Sequence, residues 1–269
     1  MAVSNNLRSA YGTALVELGK KYPEIVALEA DLGKSTQSVM FKAEFPDRHF
    51  EMGIAEQNMA STAAGLALAG KMPFMHTFAV FASGRAYDQL RNSICIPKLN
   101  VRICGSSSGL SDYSDGKTHQ SIEDMSIMRA IPNMTVLCPA DSIEVMKLME
   151  CLHDYKGPVY IRINRNDLPL IYPEFEEYHI GKITKMRDGG DAAIFACGVM
   201  VSIALKAADA LEKEGISARV LNVGTIKPLD REAVIAYAKG VRAIVTAEEH
   251  TVMGGLGSAI LEALRSASH

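Results

Sequence analysis

The sequence lacks a cysteine framework. Its five cysteines, Cys95, Cys104, Cys138, Cys151 and Cys197, are odd in number, scattered, and include no C-x-x-C pair. That excludes a disulfide scaffold or a zinc ribbon and suits reduced thiols in the cytosol. No stretch approaches the roughly 18 to 20 apolar residues a spanning helix needs, and the N-terminal segment is broken by charges. A soluble, unexported, cytoplasmic protein with no membrane partner is therefore expected. An excess of positive charge is missing too: 28 Lys plus Arg stand against 31 Asp plus Glu, a formal charge of −3, which argues against nucleic acid as a partner. Neither an internal repeat nor a low-complexity tract occurs.

What is present is an alternation. Residues 25–28, 73–77, 101–104, 135–138 and 159–163 are short apolar, mostly β-branched runs that read as buried strands. Between them, 5–21, 56–69, 82–93, 122–129 and 142–152 carry apolar residues at three and four spacing, and Asp141-Ser142 makes a helix start. Such alternation predicts an α/β fold with a mostly parallel sheet covered by helices on both faces. A polar, proline-bearing stretch at 168–188 interrupts the pattern, which restarts at 192–196, 202–214, 219–223, 231–238, 243–247 and 256–264. At 269 residues, two domains are expected, 1–182 and a smaller 188–269.

The helix beginning at Glu56 is lined with small residues: Ala60, Ser61, Ala63, Ala64, Gly65 and Ala67. Glycine weakens a helix, so its use implies close approach of another backbone. Packing on the chain's own sheet and pairing across a subunit interface both fit.

Four segments follow in order: Gly53-Ile54-Ala55-Glu56-Gln57-Asn58-Met59, Thr77-Phe78-Ala79-Val80-Phe81, Arg85-Ala86-Tyr87-Asp88-Gln89 and Asp115-Gly116-Lys117-Thr118-His119-Gln120. Together they resemble the pyrimidine-binding domain of transketolases and of 1-deoxyxylulose-5-phosphate synthase. Glu248-Glu249-His250 and Gly254-Gly255-Leu256-Gly257 resemble the transketolase C-terminal domain, so the resemblance covers nearly the whole chain. The Gly-Asp-Gly and downstream Asn that hold magnesium and diphosphate in this family have no match; Gly189-Gly190-Asp191 lacks the asparagine, and the Gly254 to Gly257 run lacks a P-loop's Lys-Ser/Thr ending.

The resemblance thus implies the C-terminal subunit of a split transketolase. Thiamine diphosphate would be the cofactor. Its magnesium or calcium ion would be held mainly by an N-terminal partner subunit, in a heterotetramer of two of each chain; no metal ligand is expected here. The reaction implied is transfer of a two-carbon ketol unit from a ketose (phosphate) to an aldose (phosphate). By the same resemblance Glu56 activates the aminopyrimidine ring, although a glutamate in a helix's first turn is also simply favoured by the helix dipole. The resemblance places an aromatic ring stacked on that pyrimidine at Phe78 or Phe81, Phe81 being the better candidate, with Arg85 beside them; core filling is the plainer reading of two phenylalanines.

Asp115 and His119, on the loop 106–118, would face the sugar, the aspartate at a donor hydroxyl and the histidine near the reacting centre. A second substrate histidine of larger transketolases is replaced by Ser106-Ser107-Ser108. Arg8, Ser35 and Arg165, with Arg162 nearby, would hold a substrate anion, while Asp31 would orient one of them or close a turn. His49, His76, His153, His179 and His269 show no partner pattern and read as structural or surface residues. One alternative is the beta subunit of a 2-oxo acid dehydrogenase, which shares these domains but handles acyl groups; another is a scaffolding subunit without catalysis.

Overall fold

The computed structural model describes residues 4–172 and 178–265. His269 and part of the expected boundary stretch lie outside them. Eleven strands are described: β1 (Ile25–Glu29), β2 (His49–Glu51), β3 (Met72–Phe78), β4 (Arg102–Ser106), β5 (Thr135–Leu137), β6 (Val159–Ile163), β7 (Thr184–Arg187), β8 (Ala192–Ala196), β9 (Ala218–Asn222), β10 (Thr225–Lys227) and β11 (Ala243–Ala247). The helices are α1 (Leu7–Lys21), α2 (Gly33–Thr36), α3 (Val39–Glu44), α4 (Glu56–Leu68), α5 (Tyr87–Gln89), α6 (Asp124–Ala130), α7 (Ser142–Cys151), α8 (Met200–Lys213), α9 (Arg231–Ala238) and α10 (Leu256–Arg265). None of the described helices is long and apolar enough to cross a membrane.

The strands form a seven-stranded sheet, ordered β10-β5-β6-β4-β3-β1-β2, and a four-stranded sheet, ordered β11-β8-β9-β7. The expected mixed α/β architecture is present. In the large sheet every pairing is parallel except that of β10 with β5. β1, β3, β4 and β6 are buried throughout, which explains why they read as mostly apolar runs without a polar face, with buried polar residues such as His76, Arg102 and Arg162 each met by a hydrogen-bond partner. β10 was not legible as a strand: three residues at a sheet edge carry too little pattern. It also ties the C-terminal part of the chain to the first sheet. One core cluster accordingly runs from Val26 and Met59 through Phe195 and Leu221 to Ile260.

Local sequence explains the helix starts. Asn6 caps α1 by accepting from Ser9 N, and Asp141 caps α7 by accepting from Glu144 N (2.8 Å), as the Asp141-Ser142 pair implied. The regular helix expected over 82–93 is instead broken. Phe81–Arg85 and Leu90–Cys95 are π-helical turns on either side of α5, with Ala86 N bonding back to Phe81 O. A π turn spaces its residues more widely and re-aims the side chains beside it, a distortion common at functional sites.

On α4, Met59, Ala60, Ala63 and Ala64 pack inward, so the chain's own sheet accounts for that face. The small residues of the other face remain open: Ser61 and Gly65 are exposed, and a side chain at Gly65 would meet nothing within 4 Å.

Candidate active site

Parallel α/β sheets gather ligands beyond the carboxyl ends of their strands, where loops diverge and helix N-termini point. Here β1 ends at Glu29 and leads to Asp31 and Ser35. Its neighbour β3 ends at Phe78, β4 runs into the serine-rich loop, and β6 leads to Asn164 and Arg165. Every site residue inferred from the sequence lies along this edge, apart from Arg8 in α1 and Glu56 at the start of α4.

Glu56 is buried, 1% exposed, in the first turn of α4. Both carboxylate oxygens accept from Arg85 Nη1, at 2.9 and 3.0 Å, and Thr77 Oγ1 approaches Oε1 at 3.5 Å. The Arg85 guanidinium lies 4.4 Å over the Phe81 ring. Phe78 and Phe81 are nearly parallel, 11° apart with centroids 6.1 Å distant, and His119 stands edge-on to both, at 5.9 and 5.3 Å. Its Nδ1 is 2.9 Å from Thr118 Oγ1. Glu56, Arg85, Phe78, Phe81 and His119 thus form one cluster, assembled from a helix start, a strand end, a π turn and a distant loop.

A second cluster surrounds Arg165. Its Nη1 donates to Asp112 Oδ1 and to Asp115 Oδ2, both at 2.5 Å, and these bonds raise the guanidinium's hold on its proton. Arg8 is close enough to feel the Arg165 charge; burial and that charge make it a weaker base than usual. Arg8 Nη1 donates to the main-chain oxygen of Ser35 (2.9 Å), so these two lie side by side, with the Ser35 carbonyl rather than its hydroxyl forming the contact. Arg162 points elsewhere: it is buried, pairs with Asp124 Oδ2 at 2.8 Å and donates to the main-chain oxygen of Glu249. Asp31 closes a turn, with φ of 59° and its N–H on Glu51 Oε1. The Ser106-Ser107-Ser108 run is buried, and Ser108 Oγ donates to Ile163 O.

Sequence reasoning missed several groups. Glu29 is buried at the end of β1, where its carboxylate accepts from Leu32 N. Burial, then a hydrogen bond with Glu51, pushes its pKa up to about 8. A charged residue closing an apolar strand at a sheet's carboxyl edge is the signal that could have found it. Glu29, Glu51, Ser35, Lys34 and His49 line a cavity of about 280 Å³ beside Asp31. Asp112 lies within the quoted loop, but nothing in its sequence setting separates it from its polar neighbours. His76, read as structural, is buried between Tyr11 Oη and Leu28 O, at 2.9 Å from each, and burial lowers its pKa to about 4.

Residues 4–170 match the transketolase pyrimidine-binding domain and 181–269 the transketolase C-terminal domain. The chain belongs to the transketolase family. It is similar to a protein of Methanocaldococcus jannaschii provisionally named a transketolase C-terminal section, 46% identical over 98% of this chain and 83% of that one. It is similar also to a 6-deoxy-6-sulfo-D-fructose transketolase subunit of a Clostridium species, 46% identical over 96% of this chain and 80% of the relative. Among solved structures, a split-gene transketolase described as an inactive β4 tetramer superimposes with a TM-score of 0.89, at 47% identity over 99% of this chain and 86% of the other.

The side chains of this transketolase-family protein fit one half of thiamine diphosphate. A buried carboxylate joined through Arg85 to a cluster of two phenylalanine rings and an imidazole is suited to offer an aminopyrimidine both hydrogen bonding and stacking. Among the described residues no three His, Cys, Asp or Glu side chains gather as a metal ion would need.

Proposed function

We propose that this chain is the cofactor-activating subunit of a transketolase that transfers a two-carbon ketol unit between sugars, working with a partner subunit that holds the diphosphate and its magnesium ion. The observation that carries the reading is one continuous run of contacts, from the buried Glu56 carboxylate through Arg85 to the Phe81 ring, with Phe78 and His119 packed against that ring. Thiamine diphosphate, when bound, supplies the acidic thiazolium carbon and the amine that deprotonates it. Glu56 holds a proton in a hydrogen bond with the pyrimidine ring nitrogen, and burial keeps water from competing for that bond. Phe78 and Phe81 orient the ring by stacking. Arg85 now occupies the carboxylate; its side chain is 44% exposed, so it can swing aside.

In this reading His119 donates to a developing sugar oxyanion and Asp115 accepts from a donor hydroxyl. Arg8, Ser35 and Arg165 receive the remote end of the donor. With Asp112 and Asp115 on Arg165, two carboxylates balance the charges of Arg8 and Arg165, which suits a monoanionic or neutral terminus better than a phosphate dianion. Hydroxyl-bearing and charged side chains at these positions, together with the transketolase names of the relatives above, favour ketol transfer over the acyl chemistry of a 2-oxo acid dehydrogenase. A partner has exposed apolar groups to cover: Ile54, just before α4, Leu68, at its far end, and Tyr113, in the loop after β4, are each more than 70% exposed.

The test is reconstitution. Mixed with a diphosphate-binding transketolase subunit, cofactor and magnesium, the chain should transfer ketol units, whereas alone it should bind cofactor weakly and be inactive. Ketol transfer by the purified chain alone would overturn the partner requirement. A reconstituted pair that is inactive with every sugar donor, though it binds cofactor, would overturn the reaction.

A further inference from the structure

Glu249, two residues beyond the end of β11, reaches out of the C-terminal part of the chain into the wall of the donor site. Its Oε1 accepts from Ser111 N at 2.5 Å and from Ser111 Oγ, and its Oε2 accepts from Asn164 Nδ2 at 3.3 Å. The main-chain oxygen of Glu249 is itself fixed by Arg162 Nη2 at 2.9 Å, and Arg162 is anchored on Asp124. Gly109 makes room for the carboxylate: a Cβ there would lie 2.4 Å from Glu249 Oε2, and its φ of +80° favours glycine independently. Asn166 closes the arrangement by donating Nδ2 to Ser111 O (3.1 Å) and its N–H to Asn164 Oδ1 (2.8 Å).

These contacts fall on particular segments. Ser111 directly precedes Asp112, and Asn164 directly precedes Arg165. One carboxylate therefore ties together the two backbones whose next residues form the Asp112–Arg165 ion pair, with Asp115 as its other carboxylate. A bond that merely joined two domains could sit anywhere along their contact. Here both ends of the link are one residue removed from the groups that meet the donor. Charge-assisted bonds from an ionised carboxylate to N–H and O–H groups are also about twice as strong as neutral ones, so the loop's registration depends on this side chain.

We propose that Glu249 is a positioning residue. It sets the register of the loop 109–116 against the segment after β6, so that Asp112 and Asp115 share Arg165 and the donor's remote end meets a defined pattern of charge. The C-terminal domain thereby takes part in donor selection without touching the donor. This inference rests on the reading of the Arg8–Arg165 region as the donor's remote subsite.

Two measurements separate the proposal from that reading. In the chain by itself, Glu249→Ala should speed amide hydrogen exchange across 109–116 by about tenfold or more, leaving β4 and β6 protected as in the parent. Unchanged exchange in the loop, or equal loosening of the strands, would overturn the positioning role. In the reconstituted enzyme, Glu249→Ala should raise donor KM about ten- to a hundredfold with a smaller loss of kcat, and should flatten selectivity between donors differing only at the end remote from the carbonyl. Glu249→Gln, whose amide oxygen still accepts from Ser111, should restore most of that selectivity. A Glu249→Ala enzyme that keeps its donor selectivity, or loses kcat alone, would overturn the proposal. A parent complex that discriminates among donors but is indifferent to Arg165→Ala would instead overturn the subsite reading, and the exchange result would still decide whether Glu249 orders the loop.

Discussion

Replacing Glu56 by glutamine separates folding from chemistry, because the amide keeps the size of the side chain while losing its charge and its ability to share a proton. Two contacts change on folding: Arg85 Nη1 loses a carboxylate held at 2.9 and 3.0 Å, and Thr77 loses a weak partner at 3.5 Å. The Arg85 side chain is 44% exposed and can return to water, so no cation is stranded. The cost should be that of one modest bond, about 0.5–1.5 kcal/mol. For a chain of this size that corresponds to a fall in Tm of roughly 1–6 °C. Turnover in the reconstituted enzyme should fall far more, about 10²–10⁴-fold, the range for removing a positioned acid–base group.

The decisive assay is hydrogen–deuterium exchange at the thiazolium carbon of bound cofactor, compared between parent and Glu56→Gln complexes with binding saturated. Slow exchange with intact assembly is expected. Near-parental exchange would assign cofactor activation to another group, and a Tm loss of tens of degrees would make Glu56 a structural residue first.

At the remote end of the donor, Arg165→Ala should raise KM for anionic donors about ten- to a hundredfold with little change in kcat, whereas Asp112→Asn, which removes one of two carboxylates from the same guanidinium, should lower KM for phosphorylated donors. Steady-state kinetics with phosphate-, sulfonate- and hydroxyl-terminated ketoses would check both, and a preference unmoved by either substitution would remove these residues from donor recognition. Stability should depend on pH in a definite direction. Glu29 and Glu144, both held up to about 8, bind more protons folded than unfolded between roughly pH 4.5 and 8, while His76, lowered to about 4, binds fewer between 4 and 6.5. Burial lowers His49 as well, so up to about pH 6.5 the two carboxyls are opposed by two imidazoles. Above it they act alone with two extra protons in the folded state, and stability falls as pH rises, at about 1.4 kcal/mol per pH unit per proton. Denaturant midpoints from pH 5 to 9 should decline most steeply above 6.5 and flatten beyond 8; Glu29→Gln should shed about half of the upper slope, and a midpoint that rises between 6.5 and 8 would refute the assignment.

The amino-acid order alone determined the buried parallel strands, because a strand covered on both faces is mostly apolar, as 159–163 is apart from Arg162, whose charge is met by Asp124. It determined the capped helices as well: Asn6 and Asp141 satisfy orphan N–H groups by purely local geometry. The family resemblance was legible in fragments such as Gly53 to Met59, since the chemistry needs particular side chains at fixed local spacing. Contacts across long sequence separations were decided only by the tertiary structure. Whether Arg85 reaches Glu56 depended on the π turn that replaced a regular helix, a distortion set by packing rather than propensity. That Arg162 turns inward to Asp124 while Arg165, three residues on, faces the loop depended on where β6 ends. Side chains on successive strand residues point to opposite faces, but beyond the strand no periodicity constrains them. Pairings such as Glu29 with Glu51, β10 with β5, and Glu249 with Ser111 join residues far apart in the chain, and single positions carry no record of a partner that only folding brings within reach.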